Sequence, residues 1–404
     1  MNNLYDLPNG WEWKKLGELC NFIRGPFGGS LKKQIFKESG NAVYEQSHAI
    51  YNQFEQIRYF IDDEKFEEMK RFELRPNSLI MSCSGTIGKV AIVPNNIKKG
   101  IINQALLMLT PNHKLNNVFL KLMMESNFFQ TLLSENSTGA AIANIASVKV
   151  LKELKIPLPP LPEQQRIVSK LDNLFEKIDK AIALHQKNMD EADAFMGSVL
   201  NDVFGELEEK YEVKLLGSLT KTTSGGTPKR NEKSYWGGNI GWLKSGELND
   251  GYITKVEEFI TEDGLNKSSA KLFPIGTLLI AMYGATVGRL GILEIETTTN
   301  QAVCGILNDK NQFETLYMFY YLKKIREKML KDSFGGAQPN ISQTYIKELE
   351  VPLPPLHIQQ KVVKYLDEIS QKIEKVKQVQ KEKMDNLKAL KASILDSPFG
   401  GGLL

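Results

Sequence analysis

The chain has 404 residues, 42% of them hydrophobic and 25% charged, with a formal net charge of +3. Those values exclude a disordered or low-complexity polypeptide and leave room for about two or three globular domains. The small charge excess is no nucleic-acid signal by itself, although a balanced total can hold a local basic surface, and the separated cysteines Cys20, Cys83 and Cys304, with no C-x-x-C, support neither a disulfide framework nor a zinc site.

The segment Met1-Asn2-Asn3-Leu4-Tyr5-Asp6 lacks a basic region followed by an apolar one, and no apolar run approaches about 18 residues, so the expected location is cytoplasmic. Residues from about 11 to 155 read as a mixed α/β domain. It opens with Leu16-Gly17-Glu18-Leu19 and a glycine-rich turn, Arg24-Gly25-Pro26-Phe27-Gly28-Gly29-Ser30. Ser78–Cys83 and Val90–Val93 predict strands joined by the loop Ser84-Gly85-Thr86-Ile87-Gly88-Lys89, and the spacing of Val118, Leu122 and Phe129 predicts a helix over 117–133.

From about Leu158 a proline run, Leu158-Pro159-Pro160-Leu161-Pro162-Glu163-Gln164-Gln165, leads into a helical pattern to about Val203. Proline before a helix reads as a rigid start rather than an SH3-type ligand. Gln164, Val168, Leu171, Phe175, Ile178, Ile182, His185, Met189, Ala192, Met196, Val199 and Val203 alternate spacings of four and three, a heptad seam. His185 on that seam reads as a packed polar residue, not a ligand.

Residues from about 211 to 350 repeat the first plan with drift. Leu216-Gly217-Ser218-Leu219, Thr286-Val287-Gly288-Arg289 and Asn300-Gln301-Ala302 answer Leu16-Gly17-Glu18-Leu19, Thr86-Ile87-Gly88-Lys89 and Asn103-Gln104-Ala105. Leu353-Pro354-Pro355-Leu356-His357-Ile358-Gln359-Gln360 then opens a second long helix, with Val362, Leu366, Ile369, Ile373, Val376, Gln380, Met384, Leu387, Leu390 and Ile394 in a looser heptad rhythm. The register that aligns Gln164 with Gln359 also aligns Phe204-Gly205 with Phe399-Gly400, so the chain is a tandem duplication.

A narrow apolar stripe needs a partner. Residues 162–203 carry five basic and eight acidic side chains and residues 357–398 nine basic and six acidic, which favours pairing one helix with the other. Connectivity makes the pair antiparallel. The expected fold is therefore two α/β (α+β) domains in tandem, separated by two long antiparallel coiled-coil helices in a pseudo-twofold dumbbell. The expected boundaries are 1–155, first α/β domain; 156–208, first helical spacer; 209–350, second α/β domain; and 351–404, second helical spacer. Leu171, Phe175, Ile178, Ile182, Met189, Leu366, Ile373, Leu387 and Ile394 are expected to pair the helices.

No catalytic set is present. Ser84–Lys89 imitates a phosphate-binding loop, but Cys83 stands where the first glycine belongs and Val90 where Ser or Thr belongs. There is no Rossmann fingerprint, nucleophile elbow, Asn-Pro-Pro-aromatic run or metal-ligand cluster, so neither a cofactor nor a metal is expected.

The tandem plan, the Pro-Leu-Pro-Pro-Leu-x-x-Gln-Gln lead-in and Phe-Gly pair of each long helix, Gly25-Pro26-Phe27-Gly28-Gly29-Ser30-Leu31-Lys32 and Ser224-Gly225-Gly226-Thr227-Pro228 together resemble the DNA-specificity subunit of Type I restriction-modification systems over nearly the whole chain. That resemblance implies a non-catalytic subunit whose two recognition domains each read half of a split, asymmetric site in double-stranded DNA. It implies helices that set the gap and dock two methyltransferase subunits, with two restriction subunits in the larger complex and no membrane. Methylation, S-adenosylmethionine and ATP belong to the partners. The alternative is the same architecture in another modification complex, of the methyltransferase-nuclease fusion type. Loop glycines bring backbone close to phosphate, and nearby polar side chains reach phosphates or base edges. The candidate DNA contacts are Arg24, Ser30, Lys32, Ser84, Thr86 and Lys89 in the first half, and Thr227, Lys229, Arg230, Lys244, Ser245, Tyr283, Thr286, Arg289 and Gln338 in the second. Thr86 and Thr286 have framework roles as their alternative, because their loop repeats.

Overall fold

The repeated Leu-Gly-x-Leu segment shows why both halves share a frame. In a computed structural model that describes residues 5–26, 28–135, 147–333 and 339–400, Leu16 and Leu19 of the short helix Leu16–Leu19 are buried. Gly17 lets the helix Val148–Glu153 approach so closely that an added Cβ would lie 2.7 Å from Lys152 Cβ. Gly217 does the same against Lys347, at 2.9 Å. The chain divides into two compact units, Met1–His185 with Lys381–Leu404, and Gln186–Gln380.

In the first unit an antiparallel sheet runs in the order Cys20–Arg24, Leu106–Pro111, Leu79–Ser82, Val90–Ile92. Its apolar runs are continuous because both faces are covered. Leu79, Met81, Leu107 and Leu109 join one core, while Ile80, Leu106 and Met108 join another with Ala42 and Tyr44. A second sheet orders Tyr59–Ile61, Asn41–Tyr44 and Gly100–Ile102. The helix expected over 117–133 is two helices, Asn117–Glu125 and Asn127–Glu135. Ser126 between them is extended, and its Oγ donates to the Met123 carbonyl at 2.6 Å, a local bond that competes with helix continuation.

The second unit repeats this with a five-stranded sheet, Lys221–Ser224, Val303–Leu307, Leu278–Ala281, Leu290–Leu293 and Gly251–Ile253. Its four-stranded companion is ordered Glu258–Ile260, Trp236–Leu243, Thr297–Thr299 and Leu272–Phe273.

The long helices span Leu161–Lys210 and Leu356–Asp396. The first continues through Phe204-Gly205 rather than ending there. No neighbour fixes Gly205, since an added Cβ would meet nothing within 4 Å. Gly205→Ala is therefore expected to raise stability by about 0.5–1 kcal/mol, measured by chemical denaturation.

Within each unit the helices run antiparallel. Lys391 donates to Asp179 at 2.6 Å in the first unit, and Lys377 to Asp193 at 2.8 Å in the second. The basic partner comes from the second helix each time, as the charge bias anticipates. The rhythm of the second helix differs from the sequence reading: Val376 and Leu390 are 46% and 48% exposed, while Lys377 and Lys391 turn inward. A lysine can lay its aliphatic stem on apolar surface and still deliver its charge to a partner. Leu171, Ile178, Leu366 and Ile373 are buried, and Phe175, Ile182, Met189, Leu387 and Ile394 half-buried. Much of this burial is against the α/β domains: Leu171 and Ile394 pack in the core of Leu16 and Phe119, and Leu366 and Ile373 in that of Leu200 and Tyr317.

Gln164 is not a seam residue. Fully buried, it accepts the Asn116 N–H at 2.8 Å and donates to the carbonyls of Lys114 and Pro159, both at 2.9 Å. Gln359 repeats the arrangement, accepting the Glu314 N–H at 2.9 Å and donating to Pro354 at 2.8 Å and Gln312 at 3.4 Å. Each glutamine ties the start of a long helix to a domain. Phe204 and Phe399 fix the far ends: Phe204 meets Tyr317 and Tyr321 edge-on, and Phe399 meets Phe119.

Candidate nucleic-acid interface

The sheet register gathers the candidate loops of the first unit at one sheet end. Arg24 pairs with Leu107, which pairs with Met81, which pairs with Val90. The glycine turn after Arg24, the Asn103-Gln104-Ala105 turn before Leu106 and the Ser84–Lys89 hairpin therefore leave the sheet side by side. The second unit does the same through Ser224, Cys304, Ile280 and Leu290.

The repeated Asn-Gln-Ala turn holds each glycine loop. Asn103 Oδ1 accepts the Ala105 N–H at 3.0 Å and Asn300 Oδ1 that of Ala302 at 3.1 Å. Gly25 N–H donates to Leu106 and Gly225 N–H to Val303, both at 3.0 Å. A Cβ on Gly25 would lie 1.8 Å from the Asn103 carbonyl oxygen, so only glycine fits this approach. The hairpins are also braced alike. The Gly88 carbonyl accepts from Gln130 at 3.2 Å, and the Gly288 carbonyl accepts from Arg326 at 2.8 Å. Arg326 in turn forks onto Asp250 at 2.5 and 2.7 Å. Burial pushes the Asp250 carboxyl up, but Arg326 and the Leu290 N–H outweigh it and hold it below the usual carboxylate range.

In the first unit Arg24 and Ser84 are half-buried, and Ser30, Lys32, Thr86 and Lys89 are exposed. In the second, Lys229, Arg230, Tyr283 and Arg289 are exposed, and Thr227, Lys244, Ser245 and Thr286 half-buried. Gln338 lies outside the described residues. Thr286 Oγ1 donates to the Tyr283 carbonyl at 3.2 Å, which is framework, and Thr227 Oγ1 donates to Gln301. Lys244 and Ser245 reach the same end because Trp236–Leu243 runs parallel to Thr297–Thr299, and Asn300 N–H donates to Leu243 at 2.9 Å.

Two basic candidates carry acidic partners. The Arg230 guanidinium lies 3.9 Å from the Trp236 ring centroid and 4.5 Å from that of Trp242, and donates to Glu258 at 2.5 Å. Lys244 Nζ sits 2.9 Å from Glu257 and 3.2 Å from Glu258. The Arg230 bond, with Lys244 adding to it, holds the Glu258 carboxyl below its usual range. Trp242 Nε1 donates to the Gly226 carbonyl at 2.9 Å and Trp236 Nε1 to that of Lys229 at 3.1 Å, so the tryptophan pair pins the second glycine loop. These partners lie too far along the chain for local sequence reading to find.

The sequence reading also left out Gln104 and Gln301, exposed at the tips of the Asn-Gln-Ala turns. The repeated Asn-Gln-Ala turn is the signal the sequence offers for them. Cys20, Cys83 and Cys304 are buried, which pushes each thiol up to about 12. Among the described residues, no group of three His, Cys, Asp or Glu side chains is placed to hold a metal, and no helix is long and apolar enough to cross a membrane.

A family model described as the Type I restriction modification DNA specificity domain matches residues 8–188 and again 208–382. The chain is 25% identical over 417 residues to the type I restriction enzyme MjaVIII specificity subunit of Methanocaldococcus jannaschii, covering 95% of this chain and 91% of that one. Its fold is similar to a chain from a structure of complex assembly and conformational transition in the type I R-M system, at 22% identity and TM-score 0.74 over 99% of this chain and 100% of that one. It is also similar to the HsdS subunit from Thermoanaerobacter tengcongensis, at 22% identity and TM-score 0.54 over 99% of each chain.

Proposed function

This chain belongs to the Type I restriction modification DNA specificity domain family, and we propose that it serves as the specificity subunit of such a complex, with residues 1–155 and 209–350 each reading one half of a bipartite DNA target. The observation that carries this reading is the duplicated loop cluster: two sheet ends with the same frame and different contents. Equal frames place each reader alike, and unlike loops give unlike half-sites. The chain itself performs no chemistry; methyltransferase and restriction subunits, two of each, supply it in the cytoplasm. The match to Type I subunits along nearly the whole chain favours this over a methyltransferase-nuclease fusion partner.

The candidate contacts sort by chemistry. Exposed Lys32, Lys89, Lys229 and Arg289 suit phosphates, while Ser30, Ser84, Ser245, Tyr283 and Gln338 suit base edges or sugar. Sequencing modified adenines in cells carrying this subunit with its methyltransferase is expected to give an asymmetric two-part motif with a fixed unread gap. Replacing residues 224–235 by the loop of another family member should change one half of the motif and leave the other intact. A continuous palindrome, or a change in both halves, would contradict the assignment.

A further inference from the structure

Arg230 and Lys244 are basic residues on a candidate DNA surface, yet each is held by carboxylates of the same domain. Glu258 opens the strand Glu258–Ile260 and lies opposite Trp242 in the register. Its carboxylate therefore stands beside the ring on which Arg230 rests. Glu257 precedes it and takes Lys244 from the other side. Two cations thus face two carboxylates, and Glu247 stands beside them, accepting the Lys244 and Glu257 backbone N–H groups at 2.8 and 3.1 Å.

Arg230 and Glu257 are open to solvent, and Lys244 and Glu258 partly so. The side chains of Arg230 and Lys244 are 52% and 35% exposed, and that of Glu257 is 72% exposed. Exposed ion pairs are weak, so a phosphate arriving at this sheet end can replace them. Trp236 and Trp242 keep the guanidinium in place while its partner changes, because the ring contacts do not involve the carboxylate.

On the reading of this domain as a DNA reader, we propose that Glu257 and Glu258 are built-in competitors for DNA phosphate, which hold Lys244 and Arg230 in the free protein and set how strongly the second domain binds DNA of any sequence. Release of the carboxylates on binding makes them take up cations from solution. That uptake offsets part of the counterion release from DNA and flattens the salt dependence of binding.

The test uses the full chain with its methyltransferase partner and a random-sequence duplex, with affinity measured by fluorescence anisotropy across a salt series. E257Q/E258Q is expected to bind about fivefold tighter at low salt, the reach of one exposed ion pair, with a log–log salt slope steeper by about one to two. E257Q alone alters an exposed side chain that the fold does not need, and should give a smaller shift in the same direction. K244Q should bind more weakly, with a slope shallower by clearly less than one, because the lost phosphate contact and the lost cation uptake by its freed carboxylate partly cancel. A double variant that binds more weakly, or keeps the wild-type slope, overturns the competitor role and makes the pairs fixed structure. A wild-type complex that binds no duplex at any salt overturns the reader assignment, and the competitor role with it.

Discussion

Phe399→Ala is expected to cost the first unit about 3–5 kcal/mol, most of the margin of an ordinary domain. The ring is fully buried and meets Phe119 edge-on at 5.4 Å between centroids, so truncation leaves a cavity in the core that also holds Leu16, Leu120 and Leu171. The neighbouring attachments remain. Asp396 still accepts the Asn127 N–H and side-chain amide, both at 2.5 Å, and Tyr5 still donates to the residue 399 carbonyl at 2.6 Å. Hydrogen exchange gives a unit-specific readout: protection should fall in Leu106–Pro111 and persist in Leu278–Ala281. Phe204→Ala should give the converse, because Phe204 fills the second unit's core. Phe195→Ala, at a ring 56% exposed, should shift stability by less than about 0.5 kcal/mol. Equal loss of protection in both strands after Phe399→Ala would show that the ring does not belong to one unit.

Gln359→Ala is expected to cost about 3 kcal/mol, more than most polar substitutions. The fully buried amide satisfies one backbone N–H and two carbonyls, and its removal leaves buried groups without partners, at about 1–3 kcal/mol each and less than additively. Gln164→Ala should act alike in the first unit. Gln165→Ala, one position on and exposed, should be silent. Denaturant midpoints that rank Gln165→Ala with Gln164→Ala would remove the tether from the account.

Both predictions concern residues the sequence marked as repeated without revealing why. Periodicity placed Gln164 on a helix seam, because a glutamine in a heptad position looks the same whether it faces a helix or a domain. What decides is the backbone of residues 114–116, and no local pattern encodes that approach. The same limit explains Val376. It fits the apolar rhythm better than Lys377, but Asp193 stands opposite the lysine and draws it inward. The duplication, the strands Leu79–Ser82 and Val90–Ile92 and both long helices were legible because they rest on local chemistry and on comparing one half of the chain with the other. The candidate contacts were legible as loops but not as partners. The carboxylates on Arg230 and Lys244 come from the start of the strand Glu258–Ile260 and the residue before it, which no local pattern marks, and Gln104 and Gln301 repeat together with the framework residues Asn103 and Asn300, so repetition alone does not mark them as contacts.

The two units also differ in when they can be completed during synthesis. The second is a single stretch, Gln186–Gln380, whereas the first joins Met1–His185 to Lys381–Leu404. A ribosome therefore delivers everything the second unit needs before the first receives Ile394, Asp396 and Phe399. Until then the apolar surface around Phe119 and Leu171 waits uncovered while nearly 200 residues emerge, a long interval at about 5–20 residues per second. The domain made first is thus the one finished last, and a stop between residues 381 and 394 leaves the second unit whole and the first without its closing helix end.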